Sequence, residues 1–404
     1  MEYLEELYAM VRLKWLMRQL KQSPPGEDDD FRFCYDVLQF VSRSFSLVIM
    51  QLDEELRDAV CIFYLVLRAL DTVEDDMSLS VDFKLRELPK FHTHLHDTTW
   101  CMTGVGAGRE RELLERYTHV TGAYARLDKA YQDIISDICK QMADGMCGFL
   151  VHKVETKADY DHYCHYVAGL VGHGLTHLFV ASGLENAQLA DDITKSGHMG
   201  LFLQKTNIIR DFYEDICEIP PRIFWPHEIW GQYTDDLHNF TDELHEAKAV
   251  ECLNAMVADA LVHVPHVVEY IASLQDPSVF AFCAIPQVMA MATLALVFNN
   301  KDVFHTKVKV ARGTTARIFH YSTELRPALQ MLRTYTLRLA ARVTAEDACH
   351  STIEPLVRDV IRATEAFQPF KEESVARSLM TRYPALGGRL LYNLVDNVVG
   401  YLGR

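Results

Sequence analysis

The chain has 404 residues, with 56 Asp and Glu against 40 Lys and Arg and a formal net charge of −16. Gripping a nucleic-acid backbone needs a basic face that this balance does not supply, so any phosphate ligand must be met locally, by metal ions and a few cations. Gly (19) and Pro (13) are sparse, and ten scattered Cys without a C-x-x-C pair fit reduced thiols in a cytosol-facing protein.

Taken in chain order, Met1-Glu-Tyr lacks a secretory leader. Leu4, Leu7, Tyr8, Val11 and Trp15 recur at helical spacing and predict a first helix, broken at Ser23-Pro-Pro-Gly-Glu. Residues 1–30 therefore read as an N-terminal helix and linker, and 31–404 as one large domain. Asp28-Asp-Asp30 is a solvated run leading into a helix cap. His92-Thr-His-Leu-His96 and His173-Gly-Leu-Thr-His177 have metal-ligand spacing but no H-E-x-x-H pattern and no evident third ligand, so exposed or core histidines are expected. Gly104-Val-Gly-Ala-Gly108 departs from G-x-G-x-x-G and follows no predicted strand, which leaves a flexible loop. Tyr131, Ile134, Ile135, Ile138 and Met142 form another helical stripe.

Val279 to Phe298 runs twenty residues without a charge, long enough to cross a bilayer. Pro286, Gln287 and Thr293 interrupt it, and the preferred reading is the centre of a large bundle. Leu390 to Arg404 is amphipathic but too short and polar to span, so if a membrane anchor belongs to this protein, this chain is expected to stop before it. With helical blocks throughout and no alternating strands, the fold class is all-α, a bundle of long helices enclosing a central cavity.

Two acidic stretches stand out, Asp71-Thr-Val-Glu-Asp75-Asp76 and Asp211-Phe-Tyr-Glu-Asp215. Each stacks two carboxylates on consecutive turns of one helix face, which costs a few tenths of a kcal/mol unless a cation is held there. Chance alone places about eight such pairs in a chain this acidic, so the neighbours decide. Gln204, Asn207, Asp211 and Asp215 share one predicted helix face, and Tyr64, Arg68, Asp71 and Asp75 another. Amides and carboxylates on one stripe make a poor core and a good metal–phosphate surface. Mg²⁺ takes one or two carboxylates together with substrate phosphate oxygens, and an Arg can fork onto the same diphosphate.

Several segments resemble the squalene synthase family, a branch of the squalene/phytoene synthases: Ser42-Arg-Ser-Phe45, Leu67 to Asp76, Tyr163 to Gly172, Leu203 to Asp215, Arg222-Ile-Phe-Trp-Pro226 and Phe282 to Ala290. They follow the family's order across roughly two thirds of the chain. The resemblance implies an isoprenoid-synthase bundle as the catalytic domain over 31–404. It also implies Mg²⁺-dependent head-to-head condensation of two farnesyl diphosphates to presqualene diphosphate. NADPH-dependent reductive rearrangement to squalene, a sterol precursor, follows.

By the same resemblance Asp71, Asp75, Asp211 and Asp215 are the ligands of Mg²⁺, with Mn²⁺ as the alternative ion. Arg68, Gln204, Asn207, Arg210 and Arg222 attend the diphosphate, with Arg43 and Ser44 beside Phe45. Phe45 and Phe282 are expected to face the carbocation, Cys283 and Pro286 to line the cavity, and Val167, Val171 and Leu175 to form a wall for prenyl tails. Tyr163 is the candidate for proton transfer; a phenol with an ordinary pKa near 10 is a weak base, so the released diphosphate is the other acceptor. Gly169, Gly172 and Gly174 permit close approach of a helix or a substrate. Lys309 and Arg312 match basic cofactor-binding positions, while Ala311 stands where the family commonly has Arg, which leaves the choice between NADPH and NADH open. Glu74, Asp76 and Glu214 are expected to be solvated or supporting acids.

The resemblance implies a place on the endoplasmic reticulum membrane, facing the cytosol, with another organelle as the alternative, and a monomer is expected. Two other functions fit the acidic helices: a dehydrosqualene or phytoene synthase, which needs no hydride, and a noncatalytic helical lipid-binding protein.

Overall fold

The computed structural model describes residues 2–22, 28–42, 44–344, 347 and 349–367. Residues 1–364 make one compact unit and 365–404 another, of which only the first three residues are described. Arg43 and the 390–404 segment lie outside the described residues, and of Ser44 only the backbone is placed, at the start of a helix. Among the described residues every regular element is helical.

The principal helices are α1 (Glu2–Gln22), α2 (Asp29–Val41), α3 (Ser44–Ile49), α4 (Glu54–Asp75), α5 (Lys129–Phe149), α6 (Lys157–Cys164), α7 (Leu170–Ala181), α8 (Ile193–Arg210), α9 (Phe212–Ile216), α10 (Glu246–Leu261), α11 (Val264–Ser273), α12 (Pro277–Val297), α13 (Arg312–Tyr321), α14 (Leu325–Ala340) and α15 (His350–Phe367). Helix α8 is the hub, packed against α7, α10, α11 and α12. Two glycines make this possible. A Cβ on Gly172 would stand 2.2 Å from the Ser196 carbonyl oxygen, and one on Gly200 2.1 Å from that of Ala168, so α8 touches α7 and the turn just before it backbone to backbone.

The apolar run forms α12, buried along almost its whole length against α8 and α14. A helix that is apolar all round belongs in the centre of a bundle, and that is where it sits. It and the Glu243–Ser273 stretch are each long and apolar enough to cross a membrane, yet both are mostly covered by protein.

Asp28 caps α2 as expected, accepting from the N–H groups of Asp30 and Phe31. The Gly104–Gly108 loop is tied down: all three glycines have positive φ, and the Gly106 N–H donates to Asp76 at 2.8 Å while its carbonyl accepts from Arg111. The first helix departs from a simple buried stripe, because Leu7, Val11 and Trp15 face outward while Ala9 is buried and the half-exposed Tyr8 sets its ring edge to face against His320 of α13 at 5.4 Å. Helix α1 packs against α13 by its opposite side.

Candidate active site

Helix α4 starts well, with Asp53 as its cap and Glu54 and Glu55 in the first turn, where the helix dipole favours acids. Its other end does the reverse. Asp71, Glu74 and Asp75 occupy the last turns with no basic residue among them, where dipole and mutual repulsion both penalise carboxylates. Burial, with Asp75 and Glu110 adding to it, pushes the Asp71 carboxyl up to about 7 against the pull of Arg68. Glu74 is pushed to about 8 by burial and by Asp75.

The second acidic motif also sits at a helix end, but not on one continuous helix. Helix α8 stops at Arg210, Asp211 leaves helical geometry (φ −90°, ψ 9°), and α9 resumes at Phe212. Hydrogen bonds tie Asp211 to both helices, its N–H donating to the Asn207 carbonyl at 2.9 Å and its carbonyl accepting from the Asp215 N–H at 3.0 Å. The single face expected for Gln204, Asn207, Asp211 and Asp215 is thus stepped at Asp211. Arg210 holds that carboxylate with two hydrogen bonds of 2.7 and 2.6 Å. Asp215 is pushed up to about 7, by burial first and then by Asp211 and Asp75 against Arg222.

Arg222 joins the motifs. Its backbone N–H donates to the Asp215 carbonyl at 2.9 Å, and its guanidinium donates to Asp75. The guanidinium lies 5.0 Å from the centre of the Phe224 ring, which in turn stacks on Tyr163 at 5.0 Å. Tyr163 is buried, and burial holds its hydroxyl well above the ordinary phenol range. Lys307 pairs with Glu214, so the basic segment that carries Lys309 and Arg312 runs beside α9. Both of these cations are exposed, and Arg312 opens α13, whose N-terminus has no side-chain cap.

Inside the bundle lies a cavity of about 310 Å³. Of the candidate residues, Phe45, Arg68, Asp71, Val167, Val171, Leu175, Gln204, Asn207, Phe282, Cys283 and Pro286 line it. Polar groups gather where α4 and α8 end, at Arg68, Asp71, Gln204 and Asn207; the remaining wall is chiefly aliphatic and aromatic. The Phe45 and Phe282 rings meet edge to face at 5.6 Å. Tyr163, Asp75, Arg210, Asp211, Asp215, Arg222, Lys309 and Arg312 are not in this lining; Asp215, Arg222 and Phe224 instead border a smaller hollow beside it.

Sequence reasoning missed the wide π-type turn at His165–Gly169, between Tyr163 and Val171, and with it the strict four-residue period assumed for that wall. It also missed Phe179, Met199 and Tyr270 in the lining, each indistinguishable by pattern from ordinary core. The histidines behave as expected of core and surface groups. Among the described residues no set of three or more His, Cys, Asp or Glu is placed to hold a metal by itself.

The donor chemistry fits a hard divalent ion that completes its shell with phosphate oxygens: the donors are acidic oxygens only, and burial together with neighbouring carboxylates raises those of Asp71 and Asp215 to about 7. Arg68 lines the cavity, and its buried Nε has no acceptor among the described residues, which fits an anion held by its guanidinium.

The chain matches the Squalene/phytoene synthase family over residues 38–314. It is 46% identical to squalene synthase LSS of Botryococcus braunii, across 93% of this chain and 80% of that protein. Against squalene synthase 1 of Arabidopsis thaliana the identity is 47%, across 86% and 84%. A solved complex of TcSQS with a ligand is 80% identical, with a TM-score of 0.84 over 85% of this chain and all of that one. The chain therefore belongs to the squalene/phytoene synthase family, on its squalene synthase side, and has the farnesyl-diphosphate farnesyltransferase activity of that branch.

Proposed function

We propose that the polar end of the cavity holds the diphosphate of farnesyl diphosphate while the apolar part holds its prenyl chain, so that ionisation and carbon–carbon bond formation are separated along one channel. Asp71 and Asp75 on one side and Asp211 and Asp215 on the other would hold Mg²⁺. The metal, when bound, withdraws charge from the leaving diphosphate as a Lewis acid. Arg68, with its unpartnered Nε, and Arg222 supply fixed positive charge at the same end, while Gln204 and Asn207 orient phosphate oxygens. Arg210 keeps Asp211 in place.

Phe45 and Phe282 present an edge-to-face pair to the cavity and stabilise a carbocation there through their ring quadrupoles, while the aliphatic wall of Val167, Val171 and Leu175 excludes water. Tyr163, sandwiched behind Phe224, keeps its proton in the resting protein and relays one only when a neighbouring charge changes. Its role is as a participant beside the released diphosphate.

Lys309 and Arg312, exposed beside an uncapped helix N-terminus, fit the phosphates of NADPH. That cofactor supplies the hydride of the second half-reaction, which turns presqualene diphosphate into squalene. The protein acts as a monomer on the endoplasmic reticulum membrane, facing the cytosol, where its apolar product partitions.

The observation that carries this reading is the Arg222 bridge, which links both acidic motifs, the first of which reaches the apolar cavity through Asp71. Product mass from farnesyl diphosphate and Mg²⁺, with NADPH, NADH or neither, tests it. Squalene formed only with a reduced nicotinamide is the expected result. A dehydrogenated product indifferent to NADPH would contradict it.

A further inference from the structure

Helix α1 has two different sides. Its inner side packs on α13, where Ala9 is buried, Glu5 pairs with Arg317 at 3.4 Å, and the carboxylate of Glu6 lies close enough to Gly313 that a Cβ there would meet it at 2.6 Å. Its outer side carries Leu7, Val11 and Trp15, one turn apart, with Val11 62% and Trp15 56% exposed. Met10 and Met17 flank this stripe and are also exposed. Leaving Trp15, Leu7 and Val11 in water, with two flanking Met, forgoes burial that the fold takes elsewhere, so the face awaits a partner.

Charge says which partner. From Leu7 to Gln22 the helix contains Arg12, Lys14, Arg18 and Lys21 and not one acid, within a chain whose net charge is −16. The side chains of Arg12, Lys14 and Arg18 are exposed beside the apolar stripe. A second copy on this face would set cations against cations, and residues 368–404, with five Lys and Arg against three acids, are no complement either. Apolar side chains ringed by cations match the acyl–headgroup boundary of an anionic membrane, where Trp is also favoured.

We propose that the outward face of α1 docks onto the surface of an anionic phospholipid bilayer. Leu7, Val11 and Trp15 enter the headgroup boundary while Arg12, Lys14 and Arg18 meet lipid phosphates. This deepens the membrane location proposed above, and it stands apart from the catalytic chemistry, because none of these residues touches the cavity.

The test uses the full 404-residue chain with vesicles of phosphatidylcholine alone or mixed with about one-third phosphatidylserine, followed by co-sedimentation at low and high salt. The wild type should prefer the anionic vesicles and lose binding as salt rises. Val11→Glu with Trp15→Glu should lower the partition coefficient more than tenfold, and Lys14→Glu with Arg18→Glu at least about fivefold per cation removed. Quenching of tryptophan emission by brominated acyl chains should disappear in Trp15→Phe, which locates the contact at α1. Unchanged partition in both double variants, or quenching that survives Trp15→Phe, would overturn the proposal. So would a dimer, seen by light scattering, that the Val11→Glu and Trp15→Glu pair dissolves. Product formation in detergent solution should be the same in all these variants, so a failure of docking is told apart from a failure of the chemistry.

Discussion

The guanidinium of Arg222 donates to the carboxylate of Asp75, its partner 147 positions earlier in the chain, while the Arg222 backbone N–H is fixed on the Asp215 carbonyl. One residue thus sets the separation of the two acidic motifs and neutralises part of their charge before any ligand arrives. Arg222→Ala should lower the rate of diphosphate release about 10²–10³-fold at saturating Mg²⁺, the usual cost of removing one fixed donor of charge stabilisation. Arg222→Lys keeps the charge without the fork and should fall between. Wild-type release from a folded Arg222→Ala protein would remove Arg222 from the site.

Lys205 is a second cation with a structural task. Its side chain is 1% exposed and is held by Asp161 at 2.5 Å and Asp259 at 2.6 Å, which ties α8 to α6 and α10. Lys205→Met leaves two carboxylates facing each other, a change that costs roughly 3 kcal/mol; the low end of the range applies because Asp161 is half exposed. Urea unfolding should show this loss, and Lys205→Met combined with Asp259→Asn should recover part of it.

The glycines give a paired prediction of opposite sign. Gly200→Ala drives a Cβ into the Ala168 carbonyl and should cost about 1–3 kcal/mol, since backbone cannot swing aside as a side chain can. Gly148→Ala, near the end of α5, has nothing within 4 Å of its new Cβ and should gain about 0.5–1 kcal/mol. Thermal unfolding of the two variants measures both.

His263 makes stability depend on pH. It is buried, with its Nδ1 2.8 Å from that of His198 and with Lys205 and His266 also nearby, and its imidazole is held down to about 2, by burial first. Below pH 6.5 the unfolded chain takes up a proton that the folded site refuses, so stability falls as pH falls through the window from 6.5 toward 2. At pH 5 this amounts to roughly 2 kcal/mol. The difference in unfolding free energy between wild type and His263→Gln should shift by that amount between pH 7 and pH 5, and a constant difference would contradict the assignment.

What was legible in the chain followed local period. The apolar repeat of α5, the apolar run of α12, the cap at Asp28 and the acid pairs at i, i+4 are short-range patterns, and with the family resemblance they led to Phe45, Arg68, Asp71, Gln204, Asn207 and Phe282 in one cavity. What was not legible depends on partners far away in sequence or on backbone departures. Asp75 and Arg222 cannot be paired by spacing, the break at Asp211 leaves no residue signal such as Pro or Gly, and the two-faced character of α1 emerges only once α13 has covered one side. Lys205 reads as one more surface lysine until Asp161 and Asp259 are seen around it.

The central claim is that both acidic motifs act on one diphosphate, and release of inorganic diphosphate from farnesyl diphosphate under Mg²⁺ measures it most directly. Asp71→Asn and Asp211→Asn should each abolish release to within the background, and raising Mg²⁺ should not restore the double variant. Release that persists unchanged in either single variant would show that the two motifs do not share the diphosphate.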